Sequence, residues 1–371
     1  MSPARPTVYA LVAGGGTGGH VYPGLAVADA LVARGHAPES IRFLGAVGRL
    51  EADAVPAAGF AIDLIPVRGF RRGRTAAALA GNLRLPFTMA AAMARAVGLL
   101  RRLRPQVVIG VGGYASVPGV LAARLLRIPV VIHEQNAVPG MANRVAARLG
   151  AAVAVSFPDT GLPGAHVVGN PVRASLATIV RAPEGDRPLL GVVGGSLGSV
   201  RLNDAALDLY DRWRSRADVQ VRHVAGRLHY DECRSRLDRL QRAQDALVYE
   251  LVPYEDHMDR LYGRASLAVC RAGAVTVAEL AAVGVPSVLV PWPGAADDHQ
   301  TDNARVMADA GAAVMLADAQ VDGARLDAVT RELLLDPTRL RAMSDAARSL
   351  AHPDAADRLA DLVEETARAR A

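Results

Sequence analysis

Twice along this chain a short apolar run stops at a cluster of glycines and passes directly into a helical pattern. The first instance is "TVYALVA" followed by "GGGTGGHVYPGLAVADAL"; the second is "LLGVV" followed by "GGSLGS" and "VRLNDAALDLYDRW". A continuous β-branched run has no polar side to give to water, so it must be covered on both faces, as strands of parallel sheets between helix layers are. The alternation continues through "IRFLGA", "AIDLIPV", "QVVIGV", "PVVIHE" and "AAVAVS" in the first half, and "VQVRHVAG", "ALVYELVP", "LAVCRAG" and "VPSVLVPW" in the second. At about 150 residues per domain, the 371 residues make two such domains. The stretches "GLPGAHVVGNPVRASL" and "RAPEGDRP" read as the linker region. The expected class is therefore α/β, with two Rossmann-like domains facing a cleft: residues 1–172, and residues 173–351. The last stretch, residues 352–371, reads as an amphipathic helix that packs back on the first domain.

Charge is unevenly spread. The net charge is +5 and every basic residue is arginine, but no acid falls between Leu64 and His133, a span that holds eleven arginines. Cys233 and Cys270 lie far apart, which offers neither a metal spacing nor a disulfide framework. The apolar run before the first glycines is too short for a signal peptide or a membrane span, so a cytoplasmic protein is expected.

Gly14, Gly16 and Gly19 satisfy G-x-G-x-x-G between a strand and a helix, the context of a dinucleotide site. Such a site needs an acid at the end of the second strand to hold the ribose, and none appears before Glu51, which argues against NAD. What remains is a turn that lets an anionic or sugar group approach free backbone N–H groups at a helix start. His20 sits at that helix mouth, where the dipole disfavours its charged form. It reads equally as a general base or as a turn cap. "HEQN", His133 to Asn136, places four polar residues at the end of a buried strand. "GGSLGS" suits a diphosphate, and Arg173 could reach the same anion as a bidentate donor. In "CRAGAVTVAEL", Glu279 falls in the first turns of a helix, placed to accept from vicinal ribose hydroxyls. In "DDHQTDNA", His299, Gln300 and Asn303 offer hydrogen bonds to a sugar, while Asp297 and Asp298 alone make a poor metal site. No metal, no cofactor and no nucleic acid is expected.

Seven motifs, "GGGTGGHVYPGLAVADAL", "GVGGYASVPG", "IHEQNAVPGMANR", "VVGNPVR", "GGSLGS", "CRAGAVTVAELAAVGVPSVLVPWP" and "DDHQTDNA", are collinear with those of a known family. In order and spacing they closely resemble the peptidoglycan UDP-N-acetylglucosamine transferases. These act on undecaprenyl-pyrophosphoryl-N-acetylmuramyl-pentapeptide. The resemblance implies a glycosyltransferase B fold, with the sugar nucleotide on the C-terminal domain and the lipid acceptor on the N-terminal one. It implies that Thr17, Gly18 and Gly19 approach the donor's sugar and diphosphate, that Asn136 binds the N-acetylglucosamine, and that Arg173 and Ser196 bind the diphosphate. It also implies that Ala274, Val275, Thr276, Val277, Ala278 and Glu279 hold phosphate and ribose, and that Gln300 binds a sugar hydroxyl. The chain departs from the family pattern at Leu197, commonly Gln, at Glu255, usually apolar, and in a slightly longer "PWPGAADDHQ".

On this reading His20 deprotonates the acceptor's 4-hydroxyl for inverting transfer. An embedded acceptor gives the basic stretch a purpose: Phe70, Arg71, Arg72, Arg74, Leu79, Leu83, Leu85 and Phe87 form an interfacial patch for the anionic cytoplasmic face of the membrane. A UDP-N-acetylglucosamine epimerase of the same architecture is the nearest rival, and a non-catalytic nucleotide sensor the next.

Overall fold

The computed structural model describes residues 8–67, 85–183, 187–195 and 198–369. The chain divides into two compact units, Met1–Pro171 with Asp354–Ala371, and Val172–Pro353.

In unit 1 the strands are β1 (Ala10–Ala13), β2 (Ile41–Ala46), β3 (Ala61–Ile65), β4 (Val107–Gly110), β5 (Val130–Glu134), β6 (Ala152–Val155) and β7 (Ala165–Val167). They form one parallel sheet in the order β3-β2-β1-β4-β5-β6-β7. Around it lie α1 (Gly18–Ala33), α2 (Glu51–Ala57), α3 (Leu85–Leu103), α4 (Ser116–Leu125) and α5 (Met141–Arg148). Successive side chains of β1 serve opposite cores. Leu11 and Ala13 pack with Ala96 and Leu100 of α3, while Ala10 and Val12 pack with Val27 and Leu31 of α1. That is why the strand reads as an unbroken apolar run. The boundary between the units, after Pro171, falls inside "GLPGAHVVGNPVRASL", but the first part of that stretch is not linker. Ala165–Val167 pairs with β6 as the edge of the sheet, and the glycines that suggested a linker, Gly161, Gly164 and Gly169, take positive φ in the turns around it.

Unit 2 repeats the plan. Its strands are β8 (Leu189–Val193), β9 (Gln220–Val224), β10 (Val248–Val252), β11 (Leu267–Cys270), β12 (Ser287–Leu289) and β13 (Ala313–Met315), ordered β10-β9-β8-β11-β12-β13 and parallel. Its helices are α6 (Ala174–Ala177), α7 (Val200–Trp213), α8 (Tyr230–Leu240), α9 (Met258–Arg264), α10 (Ala274–Val283), α11 (His299–Asp309), α12 (Gly323–Leu334) and α13 (Pro337–Ser349).

After α13 the chain rejoins unit 1 as α14 (Ala355–Arg368). Leu359, Ala360 and Val363 enter the core shared with Val27, Ala28 and Leu31 of α1. Arg34 pairs with Asp357, Asp361 and Glu364 at the rim, and His36 bonds Glu364 at 3.0 Å.

In both sheets the strand order reverses beside the first strand: between β1 and β4 in unit 1, and between β8 and β11 in unit 2. Ligands of doubly wound folds bind at the carboxyl ends of the strands flanking such a reversal. Both glycine turns stand there.

Candidate active site

In unit 1 the chain leaves β1 through Gly14, Gly15 and Gly16 and reaches Thr17, the N-cap of α1. Gly15 (φ +146°) and Gly16 (φ +99°) use backbone conformations that side chains disfavour. A second turn, Gly112–Gly113, follows β4 and lies against the first. Gly15 N–H donates to the Gly112 carbonyl at 3.3 Å, and a Cβ on Gly113 would stand 2.1 Å from the Gly15 carbonyl oxygen. Two backbones come this close only because neither carries a side chain.

His20 is the third residue of α1, with its backbone N–H on the Thr17 carbonyl at 3.1 Å. Its half-buried ring rests on the second turn: a Cβ on Gly112 would lie 2.8 Å from Nδ1 and 2.9 Å from Cε1. Pro23 has no N–H to return to the Gly19 carbonyl, which opens the first turn of α1 further.

The "HEQN" segment divides. His133, Glu134 and Gln135 are buried and engaged within the unit, and Asn136 stands at the margin. Nε2 of His133 bonds the Gly169 carbonyl at 2.9 Å, and Gln135 Nε2 donates to the Val111 carbonyl at 2.8 Å while lying 3.3 Å from His133 Nδ1. Burial lowers the His133 pKa to about 4, so the ring is neutral at physiological pH. One oxygen of Glu134 accepts the Asn136 backbone N–H at 3.0 Å and its Nδ2 at 3.2 Å, and the other accepts from Gly140 and Asn143. Glu134 therefore aims Asn136, and three of the four polar residues are engaged in internal hydrogen bonds.

In unit 2 the turn after β8 contains Gly194, Gly195 and Gly198 and ends at Ser199, whose Oγ caps α7 by accepting from Leu202 N–H at 3.4 Å. Ser196 and Leu197 lie outside the described residues. Arg271, directly after β11, donates through Nη2 to Ser199 Oγ at 2.6 Å. Its Nη1 donates to the Val290 and Pro291 carbonyls and to Asp318 at 2.6 Å. In the sequence this arginine stands inside "CRAGA", with no role that the motif itself assigns. The signal was present: a cation at the carboxyl end of a buried strand stands at the site or supports it.

α10 starts at Ala274 with Gly273 as N-cap, so the amides of Ala274, Val275 and Thr276 form its open first turn. This narrows the expected phosphate segment. Val277 is a core residue whose N–H is already given to the Gly273 carbonyl at 2.9 Å, and Ala278 follows it inside the helix. Glu279 is in the second turn. It is 5% exposed and forms an ion pair with Arg173 Nη2 at 3.0 Å. Burial pushes its carboxyl pKa up, and Arg173 pulls it back only in part. The two residues expected at diphosphate and ribose are thus brought together across 106 positions.

Gln300, in α11, accepts the Trp292 backbone N–H through Oε1 at 2.9 Å, and Asn303 donates to the Ala272 carbonyl at 3.1 Å. Glu255, the departure from an apolar residue, has partners within unit 2. It is buried against Arg222, with Oε2 2.8 Å from Nη2, and its Oε1 accepts His257 N–H. Of the basic apolar segment, Phe70, Arg71, Arg72, Arg74, Leu79 and Leu83 lie outside the described residues, as does the side chain of Leu85. Phe87, in the first turn of α3, is 79% exposed. Among the described residues no helix is long and apolar enough to cross a membrane.

Comparison with known proteins covers both units. Residues 10–155 match the glycosyltransferase family 28 N-terminal domain, and residues 189–359 match the family 28 C-terminal domain. A relative from Alkalilimnicola ehrlichii is 44% identical over 369 residues, spanning 98% of this chain and 100% of its own. One from Halorhodospira halophila is 45% identical over 361 residues, spanning 96% and 98%. Both are named UDP-N-acetylglucosamine--N-acetylmuramyl-(pentapeptide) pyrophosphoryl-undecaprenol N-acetylglucosamine transferase. The crystal structure of Acinetobacter baumannii MurG aligns with TM-score 0.77 and 32% identity over 96% of this chain and 99% of that one. A structure titled putative UDP-N-acetylglucosamine 2-epimerase from Listeria monocytogenes aligns with TM-score 0.66 at 14% identity over 95% of this chain and 94% of that one, which shows a common fold alone.

Proposed function

The chain belongs to glycosyltransferase family 28, and we propose that it transfers N-acetylglucosamine from UDP-N-acetylglucosamine to the 4-hydroxyl of undecaprenyl-pyrophosphoryl-N-acetylmuramyl-pentapeptide. The observation that carries this reading is identity of 44% running over 98% of the chain to a relative named for that reaction. Unit 2 supplies what a nucleoside diphosphate sugar needs. The first-turn amides of α10 and those at the start of α7 meet the diphosphate, and Arg173, paired with Glu279 of α10, donates to it as well. Glu279 accepts from the ribose hydroxyls. Gln300 and Asn136 hold the sugar, and Thr17, Gly18 and Gly19 give it room to approach.

Unit 1 supplies the base. His20 takes the proton of the 4-hydroxyl as that oxygen bonds the anomeric carbon. The bond from that carbon to the diphosphate breaks on the opposite side and configuration inverts. Charge gathers on departing UDP, where backbone N–H groups and Arg173 meet it. The protein binds the membrane face peripherally through the basic apolar segment, of which exposed Phe87 is the described end. Anionic vesicles should retain the protein, and added salt should release it.

The decisive experiment measures UDP release with and without a muramyl lipid acceptor. Release that needs the acceptor, and falls about 10²- to 10⁴-fold in His20→Ala, supports both parts of the reading. Acceptor-independent release points to hydrolysis of the donor, and an isomeric UDP-sugar formed with no net UDP release points to an epimerase. Near-normal turnover of His20→Ala with saturating substrates removes His20 as the base.

A further inference from the structure

One buried carboxylate in unit 1 has no part in the reaction just described. Glu51 opens α2 and is 1% exposed. Its Oε2 accepts the Gly16 N–H at 2.7 Å, in the turn after β1, and its Oε1 accepts the Ala46 N–H at 2.9 Å, at the end of β2. The backbone is shaped to admit it. A Cβ on Gly15 would lie 2.2 Å from its Cδ, and a Cβ on Gly45 would lie 2.5 Å from its Cγ. Two glycines in two different strand ends therefore face one side chain.

In a nucleotide-binding turn of this kind the amides beyond the first strand point at a phosphate. Here the Gly16 amide is taken by a carboxylate of the chain itself. We propose that Glu51 is a positioning residue, a built-in anion that fixes the Gly14–Thr17 turn and, through it, the start of α1 and the ring of His20. The path is short: Gly16 is adjacent to Thr17, whose carbonyl accepts the N–H groups of His20 at 3.1 Å and Val21 at 3.2 Å. The role of His20 in this inference rests on the transferase reading; the grip of Glu51 on the turn does not.

Glu51→Gln tests it in the full-length chain. The substitution keeps shape, but its amide nitrogen is a donor facing a backbone donor, so one of the two ties is lost. Three readouts separate positioning from folding: the imidazole NMR signals of His20, kcat with KM for UDP-N-acetylglucosamine, and the thermal midpoint. The expected result is a displaced His20 signal with His223 of unit 2 unmoved, and kcat lower by about 10- to 100-fold. The midpoint should fall by a few degrees, because one buried amide loses its acceptor, so kcat is read per amount of folded protein and donor KM is recorded beside it. An unmoved His20 signal, or a kcat that falls only with the amount of folded protein, overturns the proposal. Should Glu51→Gln fail to fold, Glu51→Asp, which keeps the charge but is one methylene too short to span both amides, is read in the same way. If the unsubstituted protein releases no UDP in response to the acceptor, the transferase reading fails, and the His20 signal still decides the positioning role.

Discussion

Replacing Glu279 by Gln distinguishes a carboxylate kept for a ligand from one kept for the fold. Glu279 is buried against Arg173 at 3.0 Å, yet its carboxyl pKa is raised, because burial outweighs the ion pair. A raised folded-state pKa makes the group's contribution to stability full below the unfolded value near 4.5 and lost as pH rises through the folded value. Above the folded value, burying this carboxyl therefore weakens the empty protein. Gln keeps the shape and leaves a carbonyl for Arg173 Nη2. It gives up the carboxylate's share of an ion pair while the guanidinium stays the charged donor, so only part of a bond of about 1.5–3 kcal/mol is lost, and it removes the cost of burying the carboxylate. The net change in stability is expected within about 1 kcal/mol, which moves the midpoint of a unit this size by about 2–4 °C or less. Donor binding behaves differently, because the ribose loses a charged acceptor worth about 1.5–3 kcal/mol, or about 10- to 150-fold in affinity. The assay titrates UDP-N-acetylglucosamine at saturating acceptor, beside a calorimetric melt. A midpoint lower by well over 4 °C with donor KM unchanged would refute the reasoning and make the pair a structural brace.

Other substitutions probe the same frame. Gly112→Ala places a Cβ 2.8 Å from His20 Nδ1 at a residue with φ +88°; a loss of about 1–2 kcal/mol and about 100-fold in kcat is expected, and unchanged kcat would argue that the ring is remote from the chemistry. His133 has its pKa lowered to about 4 by burial, so its contribution to stability is present above 6.5 and lost as pH falls toward 4. Urea unfolding across that range should show about 3 kcal/mol less acid sensitivity in His133→Gln. Leu359→Ala should cost about 2–5 kcal/mol, and hydrogen exchange should show the loss in unit 1 amides while those of unit 2 hold, because Leu359 of α14 is fully buried in the unit 1 core.

What the sequence made legible follows burial. "IRFLGA" is β2 from end to end because both faces of that strand are covered. β7 and β13 are not legible in the sequence because an edge strand of three residues carries no pattern: Ala165–Val167 is mostly exposed, and "AVM" looks like any alanine-rich stretch. The glycine turns could be read because strand, glycines and helix are adjacent in sequence. Their supports could not. Arg271 reaches Ser199 across 72 positions and Glu51 reaches Gly16 across 35, and such pairs depend on which strand lies beside which. In "HEQN" polarity alone does not separate internal hydrogen bonding from ligand contact. The depth of burial does.

The two units share one strand order and diverge in what stands behind the turn. In unit 1 it is the carboxylate of Glu51, held by backbone N–H groups. In unit 2 it is the guanidinium of Arg271, on Ser199 at the start of α7. Asp318 pairs with Arg271 at 2.6 Å and with Arg201 at 3.0 Å, so two cations share one anion and the cluster keeps a positive charge. A nucleoside diphosphate approaching the first turn meets an amide already given to a like charge. Approaching the second, it meets open helix-start amides with a net cation behind them. Duplicated architecture therefore does not mean duplicated binding, and calorimetric titration with UDP should return one site per chain. A second site of similar affinity would show that the Glu51 carboxylate does not close the first turn to phosphate.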